Sequence, residues 1–270
     1  MIYKIYSLKH ALLLSLSALG IFAILSLTTS VAHAAPTVDR HMYIWSSSVT
    51  TYGTSTIKKW LVKNNISTAI ISLTNSNRTL FKKLLTDLPR SGIDVALLVG
   101  NNSLLFEDDV PAYFDNLLRD INLSKLAGGI HLDIEQFARS SFPDYHERKS
   151  YYDNLYLDLL TATREYADDH DLKVSVSIPV FYDEVLLRDI YERADTVYLM
   201  AYEITDIDRL EAKVSQELNI GPDNTIVALR ADDFATRKAF ESFLTTTLNR
   251  LGISDIAMHD FRRFKELPLR

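Results

Sequence analysis

Eight short apolar runs, each followed by a longer amphipathic stretch, occupy nearly all of this chain from residue 41 onward. The runs are His41–Ser46, Thr68–Leu73, Asp94–Gly100, Gly129–Glu135, Lys173–Pro179, Thr196–Glu203, Thr225–Arg230 and Asp255–Asp260. Each is too short for a helix and rich in Val, Ile and Leu, the composition of a parallel strand covered on both faces. The stretches between them carry helix signals, such as Thr54-Ser55-Thr56-Ile57 ahead of Lys58-Lys59-Trp60-Leu61. Asn77, ahead of Leu80, Leu84 and Leu85 at helical spacing, is another. Eight β-α units with a truncated last helix predict an α/β fold, a single (β/α)8 TIM barrel. An open doubly wound sheet alternates in the same way, but no glycine-rich phosphate loop follows the first run.

Ahead of the barrel, Lys4 and Lys9 precede the apolar stretch Ala11–Leu27, and Ala32-His33-Ala34 places small residues where a signal peptidase reads. Residues 1–34 are therefore expected to be a signal peptide. Cleavage is expected after Ala34, since a cut after Ala35 would put Pro36 at the scissile bond. Residues 35–270 then form one barrel domain that is secreted or periplasmic. No later segment is apolar for long enough to cross a bilayer, so no membrane association is expected beyond the signal segment. Removing Lys4 and Lys9 from a formal charge of -6 leaves -8, the wrong sign for a nucleic-acid or anionic-membrane partner. The chain has no cysteine, which excludes thiol catalysis and cysteine-ligated metals. A monomer is expected rather than an oligomer.

Barrels of this kind do their chemistry at the C-terminal ends of the strands. Here those ends carry Trp45, Asn75, Asn101, Asn102, Asp133, Glu135, Phe181, Tyr182, Tyr202, Glu203, Arg230, Asp232, Asp233, His259 and Asp260. Flat apolar faces stack on pyranose rings, and acids and amides bond sugar hydroxyls, so carbohydrate is the expected partner. Trp45, Asn101, His131, Glu203, Arg230 and Asp260 are the candidate substrate-binding residues. Trp60 and the stretch Tyr151-Tyr152-Tyr156 fall at helical spacing and are read as packing.

The sharpest local signal is Gly128-Gly129-Ile130-His131-Leu132-Asp133-Ile134-Glu135. Strand alternation sends His131, Asp133 and Glu135 toward the barrel axis, and Ile130, Leu132 and Ile134 toward the helices. Two carboxylates in a low-dielectric mouth tend to share a proton, which raises one pKa into the range of a general acid. Glu135 is the central catalytic candidate, and neither a metal nor a cofactor is required. An ordinary ion-pair network of these acids with Arg230 is the structural alternative.

These residues resemble those of family 18 glycoside hydrolases, the chitinase-like barrels. That family carries Asp-Gly-x-Asp-x-Asp-x-Glu on strand four and a Met-x-Tyr-Asp-like run on strand six. Gly129, Asp133 and Glu135 stand in register with the first motif, and Met200-Ala201-Tyr202-Glu203 with the second. The resemblance implies that Glu135 protonates the leaving oxygen while Asp133 orients the substrate N-acetyl group, whose carbonyl oxygen is the nucleophile. It implies that Tyr202 hydrogen-bonds the acetamido oxygen and that Glu203 binds nearby hydroxyls or tunes the acid. Two acids of the family motif are replaced, by Gly128 and His131, and Met258-His259-Asp260 stands where the family presents a Trp floor.

Three other readings are compatible with the residues. His131, Asp133 and Glu135, with His259 or Asp260, could hold a divalent ion for phosphodiester cleavage. The chain could be a carbohydrate-binding barrel without catalysis. Hydrolysis could also use two protein carboxylates, Glu135 with Glu203 or Asp232, in which case their separation sets the stereochemical course.

Overall fold

The computed structural model describes residues 38–269 apart from residue 139; the expected signal peptide at residues 1–34 lies outside the described residues. Eight strands are present: β1 (Asp39–Ile44), β2 (Ile66–Ser72), β3 (Asp94–Val99), β4 (Gly129–Leu132), β5 (Val174–Pro179), β6 (Thr196–Met200), β7 (Thr225–Arg230) and β8 (Asp255–His259). The α-helices are α1 (Ser46–Lys63), α2 (Arg78–Asp87), α3 (Val110–Leu118), α4 (Lys149–Asp169), α5 (Glu184–Tyr191), α6 (Ile207–Ile220), α7 (Arg237–Leu251) and α8 (Phe261–Glu266). Each strand pairs in parallel with its sequence neighbour, and β8 closes onto β1. The result is the closed (β/α)8 barrel that the sequence rhythm predicts.

The apolar runs overshoot the strands at the mouth. β4 stops at Leu132 rather than Glu135, and β6 at Met200 rather than Glu203. The chain beyond each stop stays tied to its neighbour, by Asp133 N–H to the Val99 carbonyl at 2.8 Å and Ala201 N–H to the Ala228 carbonyl at 3.0 Å. The alternation of faces therefore carries past the last rung, and Ile134 is buried with Ile130 and Leu132 in the layer between strands and helices. That layer also takes Trp60, edge-on to Phe261 and Phe264 at 5.1 and 5.4 Å between ring centres. Tyr152 and Tyr156 are buried against α4's neighbours, while Tyr151 stays exposed.

Inside the barrel a second cluster gathers Tyr43, Ile70, Leu98, Tyr198 and Ile226 with Ala96, Ala228 and Ala257. Three alanines leave room for two tyrosines and the His131 ring, so large and small side chains share the lumen. His131 is fully buried there and satisfied on both sides: Nδ1 meets Ser175 Oγ at 2.9 Å, and Nε2 meets Ser177 Oγ at 2.9 Å. Tyr43 OH joins the same network at 2.8 Å from Ser177 Oγ.

Strand β4 begins at a tight approach. Gly129 has φ +72, and a Cβ there would run into the Lys173 carbonyl. At Gly128 a Cβ would sit 2.9 Å from the Ala96 Cβ. The lumen alanine thus fills the space where a side chain at position 128 would begin, a physical reason for glycine where the resembling family has an acid.

Candidate active site

Asp133 and Glu135 leave β4 on the axis side, each partly exposed, on either side of buried Ile134. Asp133 Oδ1 is sealed from solvent without a hydrogen-bond partner. Burial, reinforced by the negative charge of Glu135, pushes the Asp133 carboxyl up to about 7, while the Ser177 hydroxyl acts the other way. Burial also raises Glu135 above the usual carboxylate range. Near neutral pH Asp133 therefore retains part of a proton that an isolated carboxylate would have released, and burial shifts Glu135 in the same direction, the direction that suits a general acid.

The imidazole of His131 does not bond Asp133 directly. Ser177, bonded to His131 Nε2, stands between them and acts on Asp133. Burial drives the His131 pKa down to about 3, so the ring is neutral and belongs to the lumen network. With both ring nitrogens taken by serines, it is not free to ligate an ion. Among the described residues no group of three or more His, Cys, Asp or Glu is placed to hold a metal.

Tyr202 closes the other side. Its hydroxyl is held well above its ordinary pKa by burial and then by Asp133 and Glu135, so it remains a donor facing the acids' field. The ring lies 5.1 Å from that of His259, which also neighbours Trp45 at 6.0 Å and Tyr43 at 5.6 Å between centres. Burial lowers the His259 pKa, and its Nδ1 is enclosed without a partner. Trp45 also packs over Gly100, where a Cβ would sit at ordinary contact distance, 3.5 Å, from both the indole and the Asp133 carbonyl. Trp45, Asp133, Glu135, Tyr202 and His259 thus form one mouth.

The remaining candidates divide. Arg230 is committed to Asp233, with Nε and Nη2 at 2.8 and 2.6 Å from Oδ1, and to Glu203 at 3.1 Å. Glu203 has φ +60, and its N–H donates to Asp233 Oδ2 at 2.6 Å. Arg230 and Glu203 therefore form a rim ion-pair network beside Tyr202, whose ring centre is 5.8 Å from the guanidinium carbon. Asp260, expected to bind substrate, is buried instead as the cap of α8, accepting from Arg262 N–H at 2.9 Å and Arg263 N–H at 3.2 Å. Its oxygen is spent on helix donors that would otherwise be unpaired.

Asn101, also expected to bind substrate, is exposed and caps the short helical turn Asn102–Phe106 by accepting from Ser103 N–H. The next residue is the one that touches the acids. Asn102 Oδ1 accepts the backbone N–H of Glu135 at 2.8 Å, and its amide nitrogen donates to Ser141 Oγ at 3.3 Å. Phe137 was absent from the sequence-level candidates, yet it packs edge-on to exposed Phe181 at 5.3 Å and extends an aromatic rim.

No family model matches the sequence, and no curated protein matches it. Solved structures do share the fold. A chitinase from Chromobacterium violaceum is 12% identical, with 84% of this chain and 96% of that chain aligned at a TM-score of 0.58. A class V chitinase from Pseudomonas fluorescens is 10% identical over 84% and 98% of the two chains, TM-score 0.58. The PgaB (BpsB) glycoside hydrolase domain from Bordetella bronchiseptica is 13% identical over 84% and 95%, TM-score 0.56. The chain thus has the eight-stranded barrel of chitinase-like glycoside hydrolases, with little sequence in common.

Proposed function

We propose that this protein is an exported glycoside hydrolase acting on a polysaccharide or glycoconjugate that contains N-acetylamino sugars, with Glu135 as its general acid. The observation that carries this reading is the raised pair Asp133 and Glu135 at the end of β4, facing the protonated hydroxyl of Tyr202. A carboxyl raised by burial, as Glu135 is, is more fully protonated at a given pH and can give that proton to a glycosidic oxygen. Asp133, sealed on one edge and charged only at a cost, suits the orientation of an acetamido group as positive charge develops there. Tyr202 donates toward the acetamido oxygen, and Trp45 offers an apolar face for a sugar ring. The likeness to chitinase-like barrels supports the same chemistry.

Export rests on the leader: residues 1–34 are removed by signal peptidase and residues 35–270 act in the periplasm or outside the cell, as a monomer. N-terminal sequencing of the mature protein should begin at Ala35. A protein retaining Met1 in the cytoplasm contradicts export without touching the chemistry.

The test of activity is product analysis of wild-type protein with a panel of N-acetylamino sugar oligomers. Shortened oligomers are expected, and their absence across the panel contradicts hydrolysis. One observation favours a second reading, a sugar-binding barrel without catalysis: Gly128 and His131 replace two motif acids, and His131 is neutral and bonded to serines. That reading requires oligomers to bind uncut.

A further inference from the structure

A cleft of about 450 Å³ opens beside the start of α2, lined by Thr74, Asn75, Arg78, Tyr113, Asn116 and Arg119. Arg78 Nη2 donates to the Leu117 carbonyl at 3.0 Å, which pins the guanidinium across to α3. Its Nη1 is enclosed and has no partner. The side chain as a whole is only part-buried, and its accessible remainder lines the cleft.

The acids nearby are engaged elsewhere. Asp120 faces Lys82 at 3.7 Å, and Asp115 accepts from Tyr166 OH at 3.2 Å. Arg78 and exposed Arg119 are left without a carboxylate among the described residues. The start of α2 adds to the positive field. Buried Asn77 turns its side chain back into the loop, accepting Thr74 N–H at 2.7 Å and donating to the Ser72 carbonyl at 2.7 Å. The first turn of α2 consequently has no side-chain cap, and Arg78 at the start of that turn lines the cleft.

We propose that this cleft seats an oxyanion, a carboxylate or phosphate carried by the glycan that enters the mouth. The proposal rests on the glycan reading above. Guanidinium forks match the paired oxygens of both groups. Thr74 and Asn75 follow β2 at the same end of the barrel where Asp133 and Glu135 follow β4, so a chain crossing the mouth can present a substituent here. A protein of net negative charge repels an acidic polymer, and a local cationic seat is what lets it be held.

Calorimetric titration of the exported chain tests this with four probes: inorganic phosphate, glucuronate, an octasaccharide alternating glucuronate with N-acetylglucosamine, and the neutral N-acetylglucosamine octamer. Both free anions should bind, and the acidic octasaccharide should bind more tightly than either. Arg119→Gln, at an exposed position that the fold does not need, should weaken all three about tenfold and leave the neutral octamer unchanged. Arg78→Gln should do the same from inside the cleft. Absence of anion binding to wild type, or binding indifferent to Arg119→Gln, overturns the site. Acidic octasaccharide held no more tightly than glucuronate overturns the glycan as the source of the anion. Anions held through Arg119 alongside a neutral octamer that does not bind would uphold the cleft and count against the glycan reading of the mouth.

Discussion

Asn102 Oδ1 accepts the backbone N–H of Glu135 at 2.8 Å, so the residue that fixes the proposed acid comes from the loop after β3, a strand away from the acid itself. Because Glu135 lies beyond the last rung of β4, this bond replaces the ladder in holding its backbone. Asn102→Ala should lower kcat about tenfold through misplacement of the acid, with KM within about twofold. Asn102→Asp keeps the acceptor but adds charge beside Glu135, and should shift the pH profile of kcat/KM upward. An unchanged profile in Asn102→Asp, measured by initial rates, would contradict the positioning role.

Asp133 should destabilise the fold at neutral pH. Its folded pKa of about 7 lies above the value of about 3.9 expected in the unfolded chain. Below about pH 4 both states hold the proton and there is no penalty. Between about 4 and 7 the unfolded chain releases it first, so stability falls as pH rises, and above 7 the penalty is complete. Asp133→Asn should therefore gain stability over wild type across that window, levelling at about 2 kcal/mol once solvent access at the open oxygen is allowed for. His131, depressed to about 3, acts with the opposite sign, losing stability as pH falls below about 6.5, but it is common to both proteins and cancels in the difference. Denaturant titrations from pH 4 to 8 check this; a difference that is flat with pH removes the raised pKa.

The barrel was legible in the sequence because its strands are covered on both faces and read as apolar runs, and because no run carries a competing helical period. The inward set His131, Asp133 and Glu135 was legible from alternation alone, which persists past the end of the ladder. What stayed hidden depends on contacts between distant segments. Nothing local separates Asn101 from Asn102, since only the fold decides which amide reaches Glu135. Asp260 reads as a polar strand end, whereas its role as the α8 cap follows from the abrupt turn after β8. The serines that occupy His131 lie on β5 at positions unremarkable in sequence, and His131 looks available as a ligand until they are placed beside it.

Gly129 and Gly252 both have positive φ, but only Gly129 has backbone in the way of a Cβ. Gly129→Ala should cost about 3 kcal/mol or more, combining left-handed strain with a clash that shifts β4 against β5. Gly252→Ala, open on all sides, should cost only about 1 kcal/mol. Equal losses for the two variants in urea titrations would show that the approach of Lys173 is not tight.

Steady-state cleavage and equilibrium binding of an N-acetylamino sugar oligomer, compared in wild type and Glu135→Gln, go to the centre of the proposal. Removing the proton donor while keeping shape and hydrogen-bonding capacity should cut turnover by about 10²- to 10⁴-fold and leave the dissociation constant within about twofold. Wild-type protein that binds the oligomer without cutting it, with an affinity that Glu135→Gln leaves unchanged, or a Glu135→Gln variant that cleaves at the wild-type rate, would contradict Glu135 as the general acid.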